Sequence, residues 1–105
     1  AIFGAGFCVP GNVEPCVERR YFGAVHYLAL VCVENELRRR LLARPAWRES
    51  GGETFIQQQI AFNHWLQSEG PQQAPPVALL DATEAGVEET TLAVARWMAR
   101  RVGDA

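Results

Sequence analysis

At 105 residues and 49% hydrophobic content the chain fits one small domain, and a domain of this size buries roughly 60 to 70% of the surface that its unfolded chain exposes. With a net charge of −2 and a pI near 5.7, nothing suggests a nucleic-acid backbone or an anionic membrane as the main partner, so any anion site is expected to be local. All ten basic residues are arginine, and the absence of lysine excludes a phosphate-binding loop of the G-x-x-x-x-G-K-[ST] type within these residues.

Ile2 to Val9 reads as a strand, with Gly4 and Gly6 marking close approach of another backbone or a ligand. Pro10, Gly11 and Asn12 punctuate it. The run Val13 to Arg20 is expected to form a short helix with Asn12 as its cap and Pro15 in the first turn. Val25 to Val33 is almost continuously apolar and rich in β-formers, the signature of a parallel strand covered on both faces. Glu34 to Arg44 then reads as a helix, with Glu34 and Glu36 placed to pair with Arg38 and Arg40 and with Leu37, Leu41 and Leu42 as its apolar stripe. Pro45 stops it.

After the loop Ala46 to Gly52, the segment Glu53 to Ser68 has strong helical periodicity. Phe55, Phe62 and Leu66 fall on one line, Ile56 and Ile60 lie beside them, and Gln57, Ala61 and His64 share the opposite side. Gly70 to Pro76 is a Pro/Gln linker, and Val77 to Leu80 is a short buried strand leading into Asp81-Ala82-Thr83. In the last helix Val87, Thr91, Val94, Met98 and Val102 line one face, with Glu88 and Glu89 suited to its positive end.

This alternation predicts an α/β domain over residues 1–105, with a partial three-layer parallel sheet of about three strands flanked by helices. Ligands of such sheets sit beyond the carboxyl ends of the strands, here near Val9 to Pro10, Glu34 to Asn35 and Asp81 to Glu84. The three cysteines, Cys8, Cys16 and Cys32, lack C-x-x-C spacing and a matching histidine pair, so neither a zinc site nor a disulfide framework is indicated. They read as reduced thiols of a cytoplasmic protein. The longest apolar run, Tyr27 to Val33, is far shorter than the ~20 residues that span a bilayer. The sequence opens at Ala1 inside an apolar segment and its single methionine is Met98, so the residues are expected to be a fragment of a larger design, with N-terminal processing as the alternative.

The densest charge lies in Leu37 to Arg48, where five arginines occupy twelve residues. Guanidinium groups stay ionised and offer forked donors to phosphate oxygens, so this run suits a polyphosphate, although a solvated helix face has the same composition. Together, PGNVEPCVERRYF, VHYLALVCVENELRRRLLARPAWR, ETFIQQQIAFNHWL and VALLDATEAGVEETTLAVARWM resemble the carboxyl-terminal half of a P-loop kinase-like ATPase of the nucleoside and nucleotide kinase type. The likeness covers about Ile2 to Val102, and its most specific part runs from ERRYF to RPAWR.

Arg40-Leu41-Leu42-Ala43-Arg44 matches the R-L-x-x-R motif that precedes the lid in adenylate-kinase-like relatives. The resemblance implies a lid at about 44–54, with Arg40 against the nucleotide base, Arg44 on phosphates and Arg48 reaching in from the lid as the second catalytic arginine. It also implies ATP, accompanied by Mg2+ for which no ligand stands out, and a small-molecule phosphoryl acceptor bordered by Arg19 and Arg20. Asp81 and Thr83 either hold the base or cap the next helix; Arg19 and Arg20 either meet the acceptor or are solvated at a helix end. The function so implied is the lid and base-binding half of an ATP-dependent kinase-like phosphotransferase, inactive without its P-loop half. The competing expectation is a non-catalytic α/β interaction module that forms a homo-oligomer or docks an acidic partner.

Overall fold

The computed structural model describes residues 8–49 and 51–103. Among them lie four helices and a two-stranded parallel sheet, so the chain is mixed α/β, with helices flanking the strands. The expected first strand, Ile2–Val9, lies outside the described residues except for Cys8 and Val9, which join no ladder. Val9 is extended and starts α1, Pro10–Val13. The expected helix over Val13 to Arg20 is corrected here: Asn12 sits inside α1 and caps nothing, and a separate 3-10 turn occupies Val17–Tyr21. Prolines account for the division. Pro10 presets the first helical turn, and Pro15 has no N–H with which to continue it.

Strand β1, Tyr27–Val31, pairs in parallel with β2, Val77–Asp81, from Tyr27 opposite Val77 to Val31 opposite Asp81. The described sheet therefore has two strands where about three were expected. Coverage on both faces does not hold either, since Leu30 is 51% exposed. Helix α2, Glu34–Ala43, starts from an extended Val33 with Glu34 and Glu36 at its positive end. It stops one residue before Arg44, whose extended backbone is what a following proline imposes.

Helix α3, Glu53–Glu69, buries Ile56, Ile60, Asn63 and Leu66. The core line thus runs through the isoleucines, while Phe55 and Phe62 are half-buried beside it. Leu41 of α2 packs with Ile56 and Ile60, and Leu37 and Phe55 close around them. Leu42, counted in the apolar stripe of α2, is exposed. At the end of α3 a 3-10 turn, Gly70–Gln72, brings Gly70 onto Val77 and Leu79 of β2.

Helix α4, Val87–Gly103, borders a cleft with Leu28, Leu79 and Leu80 of the strands and turns an unexpected face inward. Thr90, Ala93, Val94, Trp97 and Arg101 are its half-buried residues, whereas Val87, Thr91 and Met98 of the expected stripe are exposed, and the side chain of Val102 lies outside the described residues. Trp97 decides the rotation. Its indole is the largest apolar surface on the helix, and it meets His26 edge-on at 6.4 Å while Arg101 covers its face at 5.3 Å. No helix among the described residues is long and apolar enough to cross a membrane.

Candidate functional site

The carboxyl ends of β1 and β2 meet the start of α2 in a single hydrogen-bonded cluster. The ladder continues past β2 with Ala82 N–H donating to Val31 carbonyl at 2.8 Å. Thr83 Oγ1 accepts from Val33 N–H at 3.0 Å and donates to Asp81 Oδ1, which also takes the Thr83 N–H at 2.9 Å. Hydrogen bonds from the Thr83 hydroxyl, then from its backbone amide, hold the Asp81 carboxyl below its ordinary range. Asp81 and Thr83 therefore lock the strand ends together and make no capping bond to α4.

Arg40 closes this cluster from α2. Its NH2 donates to the carbonyls of Ala82 at 2.7 Å and Thr83 at 3.1 Å, with Ala85 at 3.4 Å, while Nε donates to Glu36 at 2.8 Å. The guanidinium fork suits this double duty, because its donors lie in one plane and point in fixed, divergent directions. Glu36 also pairs with Arg39, and hydrogen bonds from Arg39 and then Arg40 lower its carboxyl to about 2.

Underneath, Asn63 of α3 pairs with both backbone groups of Cys32: Oδ1 accepts from its N–H at 3.2 Å and Nδ2 donates to its carbonyl at 2.7 Å. A buried amide at that point satisfies a strand end that has no ladder partner. Burial pushes the Cys32 thiol upward against the opposing influence of Arg40. Cys32 is thus a buried thiol in the floor of the cluster, an environment that disfavours its thiolate. Asn63 was missed in the sequence; the available signal was a polar residue in register with Ile56, Ile60 and Leu66.

The other arginines separate from Arg40. Arg44 follows the last residue of α2, is exposed, and has no hydrogen bond or ion pair among the described residues. Arg48 ends the 3-10 turn Ala46–Arg48 and lies over the exposed Trp47 ring at 5.6 Å. The three side chains thus share no contact. Two clefts of about 290 and 320 Å3 flank Trp97, and neither is lined by Arg40, Arg44 or Arg48.

Arg19 is held within the chain, donating to Glu14 and to the Phe22 carbonyl, each at 2.8 Å. Glu14 also accepts the Tyr27 hydroxyl at 2.7 Å, and bonds from Tyr27 and then Arg19 lower its carboxyl. Burial, then the Glu14 hydrogen bond, push the Tyr27 phenol up to about 12. Arg20 lies over the exposed Tyr21 ring at 5.2 Å. Among the described residues no group of three or more His, Cys, Asp or Glu side chains is placed to hold a metal ion.

Comparison with known proteins adds no identity to this geometry: no family model, curated protein or solved structure matches the chain.

Proposed function

We propose that this chain is the lid-bearing and base-binding half of an ATP-dependent nucleoside or nucleotide kinase-like phosphotransferase, completed by a phosphate-loop half outside these residues. The observation that carries the reading is the Arg40 clasp, which ties α2 to the 82–85 loop beyond the carboxyl ends of two parallel strands. A nucleotide bound at that edge would meet two separate structures: the loop after β2 against its base, and the exposed guanidiniums of Arg44 and Arg48 against its phosphates. Phosphoryl transfer spreads negative charge over equatorial oxygens, and mobile arginines brought in by a lid stabilise that charge.

In this reading Arg40 fixes the base loop and does not stack on the base. Asp81 and Thr83 keep the loop in register with β1. Among the described residues no carboxylate cluster is placed for Mg2+, so in this reading its ligands belong to the phosphate-loop half.

Titration of the isotopically labelled chain with millimolar ATP, followed by amide chemical shifts, tests this assignment. Shifts are expected at Thr83 to Gly86 and at Arg44 to Arg48, with adenosine reproducing only the first set. A double Arg44→Ala and Arg48→Ala variant is expected to lose the second set alone. Identical responses from wild type and the double variant, or no response to ATP in either segment, would overturn the reading.

A second reading, a non-catalytic α/β interaction module, is favoured by one observation: Arg19 and Arg40 are engaged by groups of this same chain. It predicts silence in the ATP titration with the fold intact.

A further inference from the structure

The cleft of about 290 Å3 between the strands and α4 has apolar walls and a cationic rim. Leu28, Leu79 and Leu80 come from the strands, Ala93 and Trp97 from the helix. Leu28 and Leu80 share one face of the sheet, because Leu28 is level with Ala78 and side chains alternate along a strand. No acidic side chain lines the cleft, and its charged residues are Arg96 and Arg100.

These two arginines stand four residues apart on α4 and so are neighbours on the flank that borders the cleft. Both are exposed, and neither has a hydrogen bond or ion pair among the described residues. Glu88 and Glu89 lie about two helical turns before Arg96, too far for pairing along the helix. Like charges at this spacing repel, and an anion seated between them removes that repulsion. Arg38, Arg39 and Arg40 show the contrast: each of them has found a carboxylate of this chain.

We propose that this cleft binds a small amphipathic carboxylate of the medium-chain fatty-acid class, its alkyl chain along the leucines and Trp97 and its head between Arg96 and Arg100. Three properties select that class. The volume lies at the lower end of ligand pockets and admits only a small molecule. The leucine and alanine side chains give no hydrogen bond to a sugar or a base, so the body of the ligand is apolar. Forked guanidinium donors match the two oxygens of a carboxylate. The site is independent of nucleotide binding, because neither the 82–85 loop nor Arg44 and Arg48 line the cleft.

Octanoate is the probe, titrated into the isotopically labelled full chain with methyl and indole chemical shifts as the readout. Saturable shifts are expected at the methyls of Leu28, Leu79 and Leu80 and at the Trp97 indole N–H, with a Kd on the order of 1 mM for a ligand of about ten non-hydrogen atoms. Octanol, which has the same chain and no charge, is expected to bind about tenfold more weakly or worse, and octylammonium to leave these groups unshifted. Arg96→Gln and Arg100→Gln, at exposed positions with no described partner to lose, are each expected to weaken octanoate roughly fivefold and to leave octanol unchanged. Ala93→Leu narrows the cleft and is expected to weaken both ligands, with the fold checked by circular dichroism. Equal affinities for octanoate and octanol, or octanoate binding indifferent to both arginine variants, overturn the carboxylate assignment. Absence of saturable shifts at the three leucines, or shifts confined to the exposed Leu92 and Met98, overturns the site itself.

Discussion

Removal of the Arg40 guanidinium probes the contact on which the candidate site rests. In Arg40→Ala the carbonyls of Ala82 and Thr83 lose their donors at 2.7 and 3.1 Å, and Glu36 retains only Arg39. Hydrogen bonds to a charged group contribute ~1.5–3 kcal/mol each, and an orphaned carbonyl near buried Ala82 costs a comparable amount. The Arg40 side chain is 35% exposed, however, so water replaces part of what is lost and the ion pair adds little. The 3.4 Å bond to Ala85 is the weakest of the three and adds little to the sum. These terms lead to a loss of about 2–3 kcal/mol, roughly the two carbonyl bonds at half strength, a figure that already contains the cost of leaving the acceptors partly unpaired. Arg40→Lys is expected to recover about half, because one ammonium reaches either Glu36 or the loop but lacks the planar fork that spans both. Urea denaturation gives the stability difference, and amide hydrogen exchange at Ala82 to Gly86 is expected to accelerate in the alanine variant. A change within ~0.5 kcal/mol, the range of an ordinary surface substitution, together with unaltered exchange in that loop, would show that α2 and the loop are held by packing alone.

Four further outcomes follow from the same structure. Asn63→Ala leaves both backbone groups of Cys32 unpaired in the core and is expected to cost about 2–4 kcal/mol in chemical denaturation. Glu36 is lowered from 4.5 to about 2, so the unfolded chain binds its proton more readily; the stability it adds is complete above pH 4.5 and drains away as the pH falls toward 2. Glu36→Gln is expected to flatten the acid limb in that window. Tyr27 has the opposite sign: its pKa rises from 10 to about 12, so its contribution is present below pH 10 and is lost as the pH climbs through 12, a dependence that Tyr27→Phe is expected to remove. Gly70→Ala is expected to destabilise by about 1 kcal/mol in thermal or urea unfolding, because Gly70 holds helical dihedrals directly before Pro71, where a Cβ clashes with the proline ring, and the new Cβ also comes within 3.4 Å of Val77 Cβ.

The elements were legible wherever periodicity and punctuation agreed. Helix α3, strand β2 and the stop of α2 at Pro45 follow directly from spacing and proline chemistry, and their bounds differ from the expected ones by a residue. Helix α4 shows where that method fails. A stripe read at 3.6-residue spacing is unique only if the rest of the helix is polar, and here apolar residues occupy most of the circumference. Which side turns inward was then decided by the area of Trp97 against the sheet, a tertiary quantity absent from the pattern. The cluster at the strand ends was half legible. Its location follows from parallel topology, and Arg40, Asp81 and Thr83, singled out in the sequence for contacts to a nucleotide, instead join it through one another and through backbone groups, which carry no sequence signal. Asn63 was hidden for the same reason: it serves Cys32 through main-chain atoms contributed from 31 residues away.

The arginine run divides at the end of α2, after Ala43, into two populations. Upstream, three successive guanidiniums are taken up within the fold: Arg38 by Glu53 of α3, Arg39 by Glu36, and Arg40 by Glu36 and the loop after β2. Helical geometry explains this division, since a rigid helix with acids three and four residues away and a packed neighbour supplies partners on every side. Downstream the chain leaves the helix, Arg44 becomes extended, and Arg48 rests on an exposed tryptophan. Neither has a carboxylate partner among the described residues, so each can accept an anion without first breaking an ion pair. Density of charge was therefore a poor guide to which guanidiniums stay unpaired, whereas the helix-stopping proline marks the change from arginines paired within the fold to arginines exposed at its surface.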